Sequence, residues 1–141
     1  MDTSTLIGVL TGKRNGNPAQ AVNLALLWYQ PVMSQETWDE LERVASRSAF
    51  DKFRPLAVRG QFLAKYREAC SFHPVTQSVR AYRGANDDKF LSLAVSTQAA
   101  LIVSSDPDLY LMHPYQGIEI LMPKTFVERH AHLPPLLESL G

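Results

Sequence analysis

Residues 99–106, Ala-Ala-Leu-Ile-Val-Ser-Ser-Asp, form an apolar run that ends in two small hydroxyl residues and an acid. A short continuous apolar run of this kind is typical of a strand that is buried on both faces, as in a parallel sheet. A second run, residues 118–122, lies between Gly117 and Pro123 and indicates another buried strand. Ligands of open parallel sheets bind beyond the carboxyl ends of the strands, so Asp106 is a candidate functional residue.

Helical patterns surround these two strands. Asn17, as a cap, and Pro18 are typical of a helix start, and apolar residues continue from there to Trp28. Ser34 is a suitable N-cap for the next helix, and a short strand at residues 32–33 is predicted just before it. Three further helices are predicted to begin near Pro55, at Asn86 or Asp87, and at Pro123. Because strands and helices alternate, we expect an α/β fold, specifically a three-layer α/β/α sandwich around a mostly parallel central sheet.

The composition narrows the class of protein. The chain has 141 residues, 45% of them hydrophobic, which fits one compact domain. Its 14 basic and 14 acidic residues give a net charge of zero, so overall electrostatics alone cannot hold nucleic acid and any basic surface must be local. A single cysteine excludes a disulfide framework, and Cys70 is expected to be a small buried residue. The sequence has no pattern of a signal peptide or membrane span, which favours the cytoplasm.

Three acids are candidate functional residues on the sequence alone. Asp106, in Asp106-Pro107-Asp108, is either a site residue or the N-cap of a helix. Asp2 stands just before residues 3–7, which we interpret as a turn into apolar sequence. Glu40 borders the apolar face of its helix, and taken alone it is better explained as a solvated helix charge than as a site residue.

Four segments, taken together and in this order, resemble the acidic motifs of the PIN-domain family. They are Met1-Asp2-Thr3-Ser4-Thr5-Leu6-Ile7, residues 36–44 around Glu40, residues 86–94 with Asp87, and residues 104–109 with Asp106. Residues 115–126 continue in the family's style, and the most similar subgroup is the VapC-like toxin component of toxin-antitoxin pairs. The resemblance covers nearly the whole chain. It implies a PIN-like domain over residues 1–129, followed by a tail at 130–141 that forms a peripheral helix or a partner contact.

The resemblance implies that four acids meet as catalytic residues around one or two Mg²⁺ or Mn²⁺ ions: Asp2, Glu40, Asp87 and Asp106. Clustered carboxylates repel each other, so such a group requires a cation. Oxygen ligands without a His or Cys set favour magnesium or manganese over zinc. Ser4 and Ser104 match hydroxyl positions that orient the carboxylates or a phosphate, although a turn and a strand-end cap explain them equally well. Asp108 matches a further acid that holds an outer-shell water.

The implied activity is hydrolysis of RNA phosphodiester bonds by a metal-dependent endoribonuclease. The implied partners are RNA, a cognate antitoxin protein and a second copy of the chain. Several basic residues are candidates for RNA contacts, each of them otherwise a solvated surface charge: Lys13, Arg14, Arg43, Arg47, Lys52, Arg54, Arg80 and Arg83. Three aromatic residues are candidates for base stacking, although their spacing favours a place in the core: Trp28, Tyr29 and Trp38.

Two departures from the family pattern support an alternative function. Only Met1 precedes Asp2 where the family has an apolar strand, so we expect a truncated first strand, which means either a true start upstream of Met1 or a shortened form of the domain. The additional family acid before Asp87 is absent from residues 83–86, which are Arg-Gly-Ala-Asn. The alternative is a catalytically weak or inactive PIN-like module that binds RNA or a protein partner. Receiver-like and phosphatase-like domains fit less well, because Asp2-Thr3-Ser4 lacks the acid pair or Asp-x-Asp that they require.

Overall fold

The structure is a computed structural model that describes residues 1–80 and 85–131, except for the side chains of residues 85–87. Its helices are α1 Thr3–Thr11, α2 Asn17–Trp28, α3 Gln35–Ala45, α4 Leu56–Ala69, α5 Ala85–Thr97, α6 Pro107–Tyr110 and α7 Pro123–His130. A short 3-10 helix covers Ser48–Phe50. Its strands are β1 Val32–Met33, β2 Ser71–Phe72, β3 Leu101–Val103 and β4 Glu119–Leu121. Across these ranges, no helix has both the length and the apolar character needed to cross a bilayer.

The strands pair in parallel, which confirms the predicted α/β class. β1 pairs with β2, and β3 pairs with β4 so that Ile102 lies beside Ile120. Within the described ranges these are two separate two-stranded sheets, so the single central sheet of a three-layer sandwich is not observed. The N-terminal residues lie against the second sheet, because the Asp2 N–H donates to the Val103 carbonyl at 3.0 Å. No strand is formed there, since α1 begins at Thr3.

Helix α1 corrects the interpretation of residues 3–7 as a turn. The Asp2 side chain caps this helix, and Leu6 and Leu10, one turn apart, are both buried. An acid that satisfies the first free N–H groups, followed by apolar residues at a spacing of four, is sufficient to stabilise a helix that packs on a core.

The other predicted helix starts hold with small shifts. Ser34 caps α3 and forms a capping box with Thr37, as the sequence predicted for the cap. Pro123 opens α7 as expected. At α2 the cap is Gly16, so Asn17 is the first helical residue and not the cap. The strand β2 had no counterpart in the prediction.

Three apolar clusters hold these elements together. The first joins α1, α3 and α4, the second joins α5 to β3 and β4, and the third joins α2, α7 and the ends of the second sheet; their central residues are Leu6, Leu41, Leu63, Leu91, Ile120, Val103 and Phe126. The clusters fix α1 beside α3 and β3 beside β4. This places Asp2 close to the end of β3.

The predicted tail begins inside α7. His130 is the last residue of that helix, and its ring contacts the ring of Phe126. Its Nε2 shares a 2.8 Å hydrogen bond with the Tyr29 hydroxyl. Residues 132–141, the rest of the predicted tail, lie outside the described residues.

Candidate carboxylate site

Asp2 is a buried carboxylate at the N-terminus of α1. Its side chain is 4% exposed, and Oδ1 accepts hydrogen bonds from the Thr5 N–H and hydroxyl, both at 3.0 Å. The Ser4 hydroxyl lies 2.8 Å from both Asp2 oxygens. A buried charge needs such donors, and the positive end of the α1 dipole adds to their effect. Asp2 is therefore held in one orientation by its own helix.

Ser104 links Asp2 to the end of β3. Its side chain is fully buried, and its Oγ donates to Asp2 Oδ2 at 2.5 Å. The same Oγ accepts the Asp106 N–H at 3.0 Å. A second link joins the two segments, because the Ser105 N–H donates to the Ser4 hydroxyl at 3.1 Å. The two serines singled out in the sequence thus tie the first acidic motif to the last.

Asp106 is the N-cap of α6, which confirms the capping interpretation of the Asp106-Pro107-Asp108 sequence. Its Oδ1 accepts the Asp108 N–H at 2.9 Å. Asp106 is half-buried, whereas Asp108 is exposed. A capping carboxylate uses only part of its acceptor capacity, so the same residue remains able to bind a cation.

Glu40 is buried, so the interpretation of Glu40 as a solvated helix charge is wrong. Its side chain is 9% exposed and both of its oxygens have partners. Oε2 accepts the Thr3 hydroxyl at 2.5 Å, and Oε1 lies 3.1 Å from the Lys89 Nζ. Thr3 belongs to α1 and Lys89 to α5, so Glu40 lies where three helices meet.

Asp87 lies in the first turn of α5, and its side chain is outside the described residues. The side chains of residues 83–86, the segment that lacks the additional family acid, are also outside the described residues. The structure therefore brings Asp2, Ser4, Ser104 and Asp106 into one hydrogen-bond network and connects Glu40 to the neighbouring residue Thr3. It leaves the position of the Asp87 carboxylate as a prediction.

Three side chains of the site were not found from the sequence. Thr3 and Thr5 stand in the Asp2-Thr3-Ser4-Thr5 segment, where the density of hydroxyl groups was the available signal. Lys89 is not among the basic residues that the sequence indicated for RNA contacts, although it follows Asp87 and Asp88 directly. Its partner Glu40 is 49 residues away in the chain, which no local pattern reveals.

The donor set suits a hard divalent cation, because the site offers carboxylate and hydroxyl oxygens. Over residues 1–80 and 88–131, whose side chains are described, no three His, Cys, Asp or Glu side chains lie close enough together to hold a metal ion. The described acids instead lie in two separate groups of contacts. Ser104 joins the Asp2 carboxylate to the Asp106 N–H, and Glu40 forms an ion pair with Lys89. A metal site that includes all four acids therefore stays a prediction.

The aromatic candidates have separate environments. Trp38 is 7% exposed, with the Arg67 guanidinium 4.8 Å from its ring centre, so its place in the core is confirmed. Tyr29 is 40% exposed and contacts α7, so the expected place in the core is wrong for this residue.

Comparison with known proteins identifies the family of the chain. A family model described as the PIN domain matches residues 1–108, which is more than half of the chain and includes Asp2, Glu40, Asp87 and Asp106. No curated protein and no solved structure matches the chain.

Proposed function

Because the chain belongs to the PIN-domain family, whose members generally hydrolyse nucleic acids, we propose that it is a metal-dependent endoribonuclease. The observation that carries this proposal is the bridge from Asp2 through Ser104 to Asp106 at the carboxyl end of β3. Two acids that are far apart in the chain are held together there by a fully buried hydroxyl. Parallel α/β folds place their ligands at this end of the strands.

We propose that the site holds Mg²⁺ or Mn²⁺ through four acids: Asp2, Glu40, Asp87 and Asp106. When bound, such an ion lowers the pKa of water and stabilises the oxygen that leaves phosphorus. The side chains of this chain have complementary tasks. Ser104 and Ser4 fix the orientation of Asp2, Thr3 fixes that of Glu40, and Asp108 lies at the exposed rim. These hydrogen bonds give Asp2 and Glu40 fixed orientations in the proposed site.

The biological role proposed with this activity is that of the toxin in a toxin-antitoxin pair. The resemblance to VapC-like proteins supports it, and it entails a cytoplasmic location, a homodimer and an antitoxin whose C-terminal segment fills the acidic site with an Arg. The proposed architecture is the three-layer sandwich, with the domain ending at residue 129.

The proposal is tested by RNA cleavage with purified protein and Mn²⁺. Asp106→Asn and Asp2→Asn are each expected to reduce the cleavage rate by roughly a hundredfold or more, because each loses an anionic ligand. Asp39→Asn is the matched control, since Asp39 is exposed on α3 and accepts from the Gln35 side chain. Full activity of the Asp106→Asn protein would remove Asp106 from the proposed mechanism.

A second candidate function is binding of RNA or a protein partner without cleavage. It is favoured by the pairing of Glu40 with Lys89, which neutralises one of the four proposed ligands. Titration calorimetry with Mn²⁺ separates the two functions. A folded parent protein that binds RNA but takes up no Mn²⁺ would support the second.

A further inference from the structure

Glu40 and Lys89 form an ion pair at the proposed metal site, and its partners are unequal in burial. The Glu40 side chain is 9% exposed and the Lys89 side chain 25% exposed, and their charged atoms are 3.1 Å apart. A buried carboxylate without a counter-charge is unfavourable, and the ammonium group of Lys89 supplies that counter-charge to Glu40. The neutral Thr3 hydroxyl that binds the other oxygen cannot supply this charge.

We infer that Lys89 is the resident counter-ion of Glu40 and competes with a divalent cation for that carboxylate. This inference rests on the proposed metal site. Each carboxylate oxygen has two lone pairs, so the hydrogen bond from Thr3 is compatible with cation binding at Glu40. An ammonium group 3.1 Å from Oε1 is not, because its positive charge repels the incoming ion.

Cation binding therefore requires Lys89 to move away from Glu40. The partial exposure of the side chain allows this, since the lysine stem is flexible and the ammonium group can reach solvent. Once displaced, the ammonium group stays at the rim of the site and is available to an anionic phosphate of RNA. Lys89 is thus a positioning residue that acts through Glu40, and it sets the cation concentration at which the site fills.

The test is Mn²⁺ calorimetry on Lys89→Met, with thermal unfolding measured in the absence and presence of Mn²⁺. Removal of a unit charge close to a dication is expected to tighten Mn²⁺ binding by roughly tenfold. Without metal, the variant is expected to unfold at a lower temperature than the parent, because Glu40 loses its counter-charge. Added Mn²⁺ is expected to raise its unfolding temperature by more than that of the parent.

Two control variants separate this effect from general changes of charge. Lys89→Arg keeps the positive charge and is expected to bind Mn²⁺ as the parent does. Lys65→Met removes one charge from the exposed face of α4 and is expected to leave the affinity unchanged. A merely structural role for Lys89 would lower the unfolding temperature but would not tighten Mn²⁺ binding.

The outcomes also separate this inference from the proposed function. Equal Mn²⁺ affinities for the parent and Lys89→Met would refute the competition and leave the metal site intact. Absence of binding in both folded proteins would refute the metal site and the competition with it. Binding by Lys89→Met alone would support the competition in its strongest form, with the parent site closed by its own lysine.

Discussion

Replacement of Ser104 by alanine tests whether one buried hydroxyl holds the candidate site together. Ser104 Oγ is the only atom shared by the Asp2 carboxylate and the Asp106 N–H in the hydrogen bonds of the described residues. Alanine fits the same space and the same backbone conformation, so the substitution removes these two hydrogen bonds and little else. The Asp2 carboxylate then retains its contacts with α1 but loses its direct link to the end of β3.

The expected cost follows from the character of the two bonds. The bond to the Asp2 carboxylate is charge-assisted and buried, so its loss costs about 1.5–3 kcal/mol, and the bond from the Asp106 N–H is worth about 1 kcal/mol. The free energy of unfolding should fall by about 2–4 kcal/mol, out of a total of about 5–15 kcal/mol for a domain. With a urea m-value of about 2 kcal/mol per molar, the unfolding midpoint should fall by roughly 1–2 M.

Urea unfolding followed by circular dichroism measures this change, and Ser96→Ala is the matched control. The Ser96 hydroxyl likewise joins separate segments: it accepts the N–H groups of Thr76 and Gln77 at 3.0 Å and donates to the Gln77 carbonyl at 3.3 Å, but all of these contacts are exposed. Water replaces the lost acceptor there, so the control should lose less than about 1 kcal/mol. Equal losses for the two variants would refute the assignment of special weight to the Asp2–Ser104 bond.

Three further predictions concern residues outside the carboxylate site. Arg59 is 1% exposed and donates to the Ala45 carbonyl at 2.8 Å and to Asp51 at 2.9 Å. Arg59→Met should therefore lower the free energy of unfolding in urea by about 3 kcal/mol, and a loss below about 1 kcal/mol would contradict this. Cys70 is half-buried rather than buried as expected, and this partial burial raises the pKa of its thiol. Iodoacetamide should therefore modify the folded protein at least about tenfold more slowly than the unfolded protein, as measured by mass spectrometry, and equal rates would refute this. The hydrogen bond from Arg129 lowers the pKa of Glu119, so its stabilising effect is present above the unfolded glutamate pKa of about 4.3 and is lost as the pH falls through the lower folded value. Glu119→Gln should make the urea midpoint depend less on pH in this range. The effect should be slight, because the Arg129–Glu119 ion pair is exposed. An unchanged pH profile would refute a contribution of this pair to stability.

The elements that the sequence predicted are those with local signals. The apolar run before Ser104 became β3, Ser34 capped α3, and Pro123 opened α7. In each case a cap, a proline or an apolar run determines the conformation within a few residues of itself. Such signals can therefore be identified in the sequence without knowledge of the contacts made by distant residues.

The elements and contacts that the sequence did not reveal depend on distant residues. The two-residue strand β2 exists because it pairs with β1, which is 39 positions earlier in the chain. Its sequence, Ser-Phe, has no strand pattern of its own. Glu40 is buried because Thr3 and Lys89 approach it from two other helices. Neither the burial of a helix charge nor its counter-ion is encoded in the local spacing of residues.

Asp2 and Asp106 also cap helices, so a substitution at either position can change both the stability of the protein and the chemistry of the carboxylate. The two positions differ in how well these effects can be separated. Asp2 caps α1 and Asp106 caps α6, and asparagine is as good an N-cap as aspartate. At Asp2, however, the second oxygen accepts the Ser104 hydroxyl, and an amide NH₂ at that position has no acceptor to offer. Asp106 makes its described side-chain bond through Oδ1 alone, which the asparagine carbonyl can replace. Loss of cleavage in Asp106→Asn therefore reports on the chemistry of the carboxylate, whereas loss in Asp2→Asn combines that chemistry with the disruption of the network that holds α1 against β3.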